Sequence, residues 1–181
     1  RLTRERWLDA ANAVVNTIDY TFDAASRLVR MQDGVSDLQV TLDELDRVAR
    51  NESGGVAGVP AAILDATYDL VGNRLTLTDT IQGVLGGTNT YSYDALDRMI
   101  RVTQASATGS ANATQDKRVD LVFNTLGQFT TLSRFSDLAG TQAVAATSFT
   151  YDTLNRLTDL THRDSANAKL NGFAFTYDAS S

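Results

Sequence analysis

The sequence predicts an all-β protein, an array of antiparallel β-hairpins that pair side by side into a continuous twisted sheet. Three observations predict it. A dozen-residue pattern, aromatic-x-Tyr-Asp-x-x-x-Arg-apolar, is written more than once, most plainly as YSYDALDRMIRV at 91–102 and FTYDTLNRLTDL at 149–160. The copies recur at a spacing in the range where self-similarity means a repeat architecture. Within each copy apolar and polar residues alternate with a period of two, the spacing of a strand with one apolar face.

Taken in chain order, the units are anchored near 20–31 (YTFDAASRLVRM), 40–50 (VTLDELDRVAR), 66–79 (ATYDLVGNRLTLTD), 91–102, 121–132 (LVFNTLGQFTTL), 149–160 and 173–181 (FAFTYDASS), the last one cut short. Leu42 stands where the second copy should carry an aromatic, and the fifth replaces Asp and Arg by Asn124 and Gln128. The third copy reads as having one extra residue in its turn, which makes Arg74 the partner of Asp69. The acid or amide positions, Asp23, Asp43, Asp69, Asp94, Asn124, Asp152 and Asp178, are 20, 26, 25, 30, 28 and 26 residues apart. The whole chain, 1–181, therefore reads as one repeat array without a separate second domain.

Each unit has a strand pattern, a turn pattern and a second strand pattern, which is a hairpin. Tyr20 and Phe22, Tyr91 and Tyr93, or Phe149 and Tyr151 lie two apart and point to one side of the first arm. Ser92, Thr150 and Thr176 then suit the opposite, wetter side. The residue before Arg27, Arg47, Arg74, Arg98, Gln128 or Arg156 is Ser26, Asp46, Asn73, Asp97, Gly127 or Asn155. These types tolerate a left-handed backbone, so a positive φ is expected there. The Asp that opens the turn can accept hydrogen bonds from amides further on. The Arg can pair with that Asp or lie across a neighbouring ring. Because a lone hairpin leaves its apolar face uncovered, side-by-side pairing is expected to bury the aromatic face as a core.

Between the units lie small and polar stretches at 51–60, 82–90, 104–117 and 137–148, read as variable hairpin loops on one rim and too short for linkers. LDAANAVVN and VTLDELDRVARN have helical composition, but no helix is expected where the repeat overrules propensity.

Composition excludes several function classes. There are 16 basic and 22 acidic residues, a net charge of −6 and no basic stripe, which argues against nucleic acid as a partner. No apolar run is long enough to span a membrane as a helix. The first residues lack the apolar core of a signal peptide. The chain opens on the second half of a unit and closes before an expected Arg, so both ends read as cut from something longer. There is no Cys, hence no disulfide or thiolate site, and the single Pro suits a chain of paired strands.

The motif resembles the YD repeat of the Rhs family, whose relatives include the C components of insecticidal toxin complexes and the teneurins. It is carried by Tyr93, Asp94 and Arg98, by Tyr151, Asp152 and Arg156, and by Tyr68, Asp69, Gly72 and Arg74, with Tyr20, Phe22, Asp23 and Arg27, Asp43 and Arg47, Tyr91, Phe149, Tyr177 and Asp178 completing the set. The resemblance implies a segment of an Rhs-type β-shell, a ribbon that spirals into a hollow wall around a C-terminal toxic effector. The partners it implies are the remainder of the same shell and that effector, and the location it implies is secreted or at the bacterial cell surface. The family's self-cleavage site and core signature are not visible in the sequence.

Other readings of the same residues carry less weight. Paired Asp residues would need a cleft and calcium several converging oxygens, whereas DELD and DALD are each followed at once by Arg, so turn capping is expected with no catalytic, metal or cofactor site. His162, the only histidine, reads as a solvated residue of a polar loop. The aromatic rows could instead form an exposed platform, which makes a cell-surface adhesion or carbohydrate-binding module the alternative function. Trp7 lies in the segment least like a repeat. NES at 51–53 and NAT at 112–114 fit a glycosylation pattern that matters only in a eukaryotic secreted protein.

Overall fold

The structure, a computed structural model, describes residues 1–54 and 56–178. It is all-β, with fourteen antiparallel strands and no helix among the described residues. The final three residues of the truncated seventh copy lie outside the described residues, as does one position of the 51–60 loop.

The chain divides into two compact units. The first comprises Arg1–Thr88 with Ala107–Ala113 and holds β1 (Arg4–Leu8), β2 (Val14–Phe22), β3 (Leu28–Gln32), β4 (Asp37–Leu42), β5 (Val48–Ser53), β6 (Ala62–Tyr68), β7 (Arg74–Ile81) and the first half of β8 (Val84–Tyr93). The second comprises Asn89–Ser106 and Thr114–Ser181, and holds the rest of β8, β9 (Met99–Ser106), β10 (Lys117–Phe123), β11 (Phe129–Phe135), β12 (Ala143–Tyr151), β13 (Leu157–Asp164) and β14 (Lys169–Ala174). Within each unit every strand pairs with its sequence neighbours, so all connections are hairpins.

Period-two patterning gives the strands two unlike faces. Leu38, Val40 and Leu42 alternate with Asp37, Gln39 and Thr41 in β4, and Leu64, Ala66 and Tyr68 alternate with Ile63, Asp65 and Thr67 in β6. The register carries this across each pair: Tyr20 opposes Met31 and Met31 opposes Leu38, while Thr41 opposes Arg50 and Arg50 opposes Asp65. On the polar side Thr150 and Thr158 share a hydroxyl hydrogen bond of 3.1 Å.

The expected buried aromatic core is not present. Among the described residues no hydrophobic side chain is buried, and Phe129, Phe173, Phe175 and Tyr177 are each more than a third exposed. The cause is that each unit is a single layer: stacking hairpins edge to edge satisfies backbone hydrogen bonds but covers neither face, which a second layer would do. Two of the expected rim loops are in large part strand. Most of 82–90 is the start of β8 and 143–148 is the start of β12. Gly and Ala there pair as strand because the ladder, not side-chain propensity, fixes them.

Candidate functional site

The most regular constellation in the molecule is the turn that opens each second arm. In five copies the register slips by one residue beside the aromatic position, at Thr21/Phe22, Thr41/Leu42, Thr67/Tyr68, Val122/Phe123 and Thr150/Tyr151. The amide of the turn acid then donates to the carbonyl four residues on, as Asp94 does to Arg98 at 3.0 Å and Asp152 to Arg156 at 2.9 Å. The residue between them in sequence takes φ > 0: Ser26 (71°), Asp46 (64°), Gly72 (102°), Asp97 (58°), Gly127 (80°) and Asn155 (65°). A type I turn closed by a left-handed residue is the three-residue hairpin connection that suits strand twist.

In the third copy the turn has no extra residue. Gly72, not Asn73, carries the positive φ, and Asn73 fills the position read as belonging to Arg74: its amide donates to the Asp69 carboxylate at 2.8 Å and its Nδ2 at 3.0 Å. Arg74 instead begins β7, opposite Tyr68. Only a glycine reaches φ of 102° without strain, and that fixes the register.

One carboxylate serves the whole turn. Oδ1 of Asp94 accepts the amides of Leu96 (2.9 Å) and Arg98 (3.0 Å), and Oδ2 accepts Arg98 Nε at 2.7 Å. Asp43 does the same for Leu45 and Arg47, and Asp152 for Leu154 and Arg156. Asp23 accepts the amide and Nε of Arg27. The neutral copy keeps the geometry, since Asn124 Oδ1 accepts the amides of Leu126 and Gln128 while its Nδ2 donates to Gln128 Oε1 at 2.8 Å.

From this anchor each guanidinium reaches forward to the next hairpin. Arg47 lies 4.7 Å from the Tyr68 ring centroid and donates to the Asp69 carbonyl at 2.6 Å. Arg98 lies 4.7 Å over Phe123 and donates to the Asn124 carbonyl, and Arg156 lies 4.6 Å over Tyr177 and donates to the Asp178 carbonyl. Gln128 Nε2 makes the same forward bond to Asn155 O at 2.9 Å. Tyrosine hydroxyls reach back: Tyr68 to Val48 O (2.8 Å), Tyr151 to Phe129 O (3.0 Å) and Tyr177 to Leu157 O (2.7 Å). Turn, ring and hydroxyl thus form a two-way staple between consecutive hairpins. Tyr20 and Phe22 lie half-exposed in β2, with Arg1 5.4 Å over the Phe22 ring. Tyr91 and Tyr93 in β8 and Phe149 in β12 are half-exposed on the same kind of strand. Arg27, whose next copy offers Leu42 in place of a ring, pairs with Asp46 instead.

No family model matches the sequence, and no curated protein does. Solved structures do match in fold. The crystal structure of TcdB2-TccC3 aligns with a TM-score of 0.59 at 14% identity over 98% of this chain and 12% of that one. The Photorhabdus luminescens Tc holotoxin pore, in a TccC3 mutant form, aligns with a TM-score of 0.58 at 14% identity over 97% of this chain and 12% of that one. The crystal structure of TcdB2-TccC3-Cdc42 gives 0.57 at 14% identity over 98% and 12%. The fold is that of a YD-repeat array. The chain spans only 12% of the length of those structures' chains.

Electrostatics of the YD turns follow from their geometry. Backbone and side-chain hydrogen bonds from Arg27 hold the Asp23 carboxyl below its ordinary value, the amide bond from Arg47 does so for Asp43, and that from Arg156 for Asp152. At Asp94 the Arg98 side chain is the largest cause. At Asp69 desolvation is the largest influence and opposes the shift, yet the Asn73 and Val71 donors still carry the carboxyl down.

Several features escaped sequence reading. Asp9 and Asp164 form the same turn on the opposite rim, with Asn12 (62°) and Asn167 (67°) at positive φ and Ala13 or Ala168 in place of Arg. The signal was present as DAANA and DSANA. A second set of ion pairs lies on the polar face: Arg4–Asp19, Arg30–Asp37, Arg50–Asp65, and Arg101–Asp120 with Arg118. It was legible as an Arg three residues after the motif Arg and, for Asp19, Asp65 and Asp120, an Asp four before the motif acid or amide; Asp37 stands six before Asp43. His162 is in β13, not in a loop; its Nδ1 is 2.9 Å from Thr147 Oγ1, which also accepts Arg134 Nη1 at 3.0 Å. A shallow depression in the second unit is lined by Asp94, Arg98, Arg101 and Asp120, all of them engaged in ion pairs.

Proposed function

We propose that the chain is a non-catalytic stretch of wall in an Rhs-type shell that encloses a C-terminal toxic effector outside the bacterial cell. The observation that carries this is the two-way staple. Its forward bond recurs at Arg47, Arg98, Gln128 and Arg156 whatever the intervening loop, which is what an extended wall requires and what a single catalytic centre does not. The likeness in fold to toxin-complex structures over nearly the whole chain supports the reading. The YD carboxylates are spent on their own turns, which supports a structural role over a chemical one. Against the carbohydrate-binding alternative, the rings of Tyr68, Phe123 and Tyr177 already carry a guanidinium, so those faces are taken.

The test is to read the gene on both sides of this segment and isolate the whole protein. Further D-x-x-x-R units about 26 residues apart, leading to an unrelated C-terminal domain that resists protease until the wall is cut, is the expected result. An array that gives way within a few units to a wall anchor or sugar-binding modules would overturn it.

A further inference from the structure

The aromatic face of the second unit carries a polar break where the register sets β11, β12 and β13 side by side. Leu132 opposes Thr147 and Thr147 opposes His162, while Arg134, two after Leu132, opposes Ala145. Phe149, two after Thr147, opposes Leu160, two before His162, so both lie on that same side. A guanidinium, an imidazole and a hydroxyl therefore share a face with rings and leucines. We propose that Arg134 and His162, set in place by Thr147, form a binding site for a single carboxylate carried on an apolar body.

The hydroxyl decides how the site is wired. Thr147 is 2% exposed, so its proton must find an acceptor within the protein. Its oxygen accepts Arg134 Nη1 at 3.0 Å and lies 2.9 Å from His162 Nδ1. Nδ1 is the acceptor it reaches among the described residues, so the hydroxyl donates there. A neutral imidazole whose Nδ1 accepts carries its proton on Nε2. Two sets of donors are left over: Nε2–H on the far side of the ring, and the remaining N–H groups of Arg134. Neither set has an acceptor among the described residues, and both side chains are half-buried, open to a ligand.

That surplus distinguishes Arg134 from Arg30, Arg50 and Arg101, each of which holds a carboxylate. Asp164, the acid of the neighbouring row, lies beyond Ala145, and its Oδ1 accepts the amides of Ala166 and Ala168. What the pair lacks is a negatively charged oxygen. One guanidinium beside a neutral ring calls for one negative charge, and its planar fork suits the two oxygens of a carboxylate. Leu132, Phe149 and Leu160 suit an apolar carrier, and away from bulk water each charge-assisted bond counts for more.

His162 is the only histidine of the 181-residue chain, so its two ring nitrogens can be followed by NMR without overlap. The free protein at neutral pH is expected to show the Nε2–H tautomer. Benzoate and a blocked glutamate peptide are titrated in separately, and a saturable shift of Nε2 is expected. The stronger response comes from benzoate where the natural occupant is a free acid, and from the peptide where it is an acidic side chain. Arg134→Gln keeps a donor for Thr147 but removes the charge, and is expected to weaken binding about tenfold or more with unchanged β circular dichroism. Thr147→Val tests the wiring whether or not that variant folds: without the hydroxyl, the tautomer preference is expected to fall to a mixture. An Nδ1–H tautomer in the free protein, a tautomer preference that survives Thr147→Val, or no saturable shift with either probe overturns the proposal. So does a shift that Arg134→Gln leaves intact, or a stronger response to inorganic phosphate than to either carboxylate.

Discussion

The left-handed position of the YD turn accepts Ser26, Asp46, Asp97 and Asn155 as readily as Gly72 and Gly127, at different cost. A residue with a Cβ is disfavoured there by about 1 to 2 kcal/mol, less for Asn and Asp. Ser26→Gly is therefore expected to stabilise the chain by up to about 1 kcal/mol, and Gly127→Ala to destabilise it by about 1 kcal/mol, both measurable by urea denaturation. The acid that opens the turn sets the pH response. Asp23, Asp43, Asp94 and Asp152 have carboxyl groups held below the ordinary 3.8 in the folded state. Their contribution is complete above that value and is lost as pH falls from it through the lowered folded values, since the unfolded chain then binds more protons. The melting temperature should stay level from neutral pH to about 5 and drop below about 4. A decline that began near pH 6 would contradict this.

At the scale of the hairpin, the staple can be tested one bond at a time. Tyr151→Phe removes the hydroxyl bond to Phe129 O and should cost about 0.5 to 1 kcal/mol. Arg98→Lys should be destabilising despite keeping the charge, because an ammonium cannot hold the Asp94 carboxylate, the Phe123 face and the Asn124 carbonyl together. A thermal melt equal to wild type would show that the forward reach contributes nothing. Hairpin identity and turn position were legible in the sequence because Asp, a left-handed residue and Arg each answer a local steric or hydrogen-bonding demand. The third copy misled because Asn73 and Arg74 are adjacent and only the backbone angle at Gly72 says which one closes the turn. DAANA and DSANA were hidden by the missing Arg, which the turn does not need. His162 looked like loop because a polar strand beside Thr147 and Arg134 has no apolar alternation to announce it.

For the whole chain, the missing second layer decides the thermodynamics. With no hydrophobic side chain buried among the described residues, the heat capacity of unfolding should fall below the usual 12 to 15 cal/mol/K per residue, which differential scanning calorimetry would show. An increment in the usual range would mean that the chain buries far more apolar surface in solution than a single layer does. Sequence reading went wrong here because alternation reveals that a face is apolar, not that something lies upon it. The turn tips add to the uncovered surface: Leu45, Val71, Leu96, Leu126 and Leu154 stand between 60% and 71% exposed. Stability in such an array is a sum over neighbours, and the staple gives that sum a direction. Arg47, Arg98 and Arg156 each present a guanidinium to a ring that lies 21 to 25 positions later, on Tyr68, Phe123 and Tyr177. A ribosome adding about 5 to 20 residues per second delivers that ring seconds after the preceding hairpin, which closes in about 1 to 10 μs, has formed. Every new hairpin therefore emerges beside a finished template, and the array can crystallise onto itself from its N-terminal side while it is still being made.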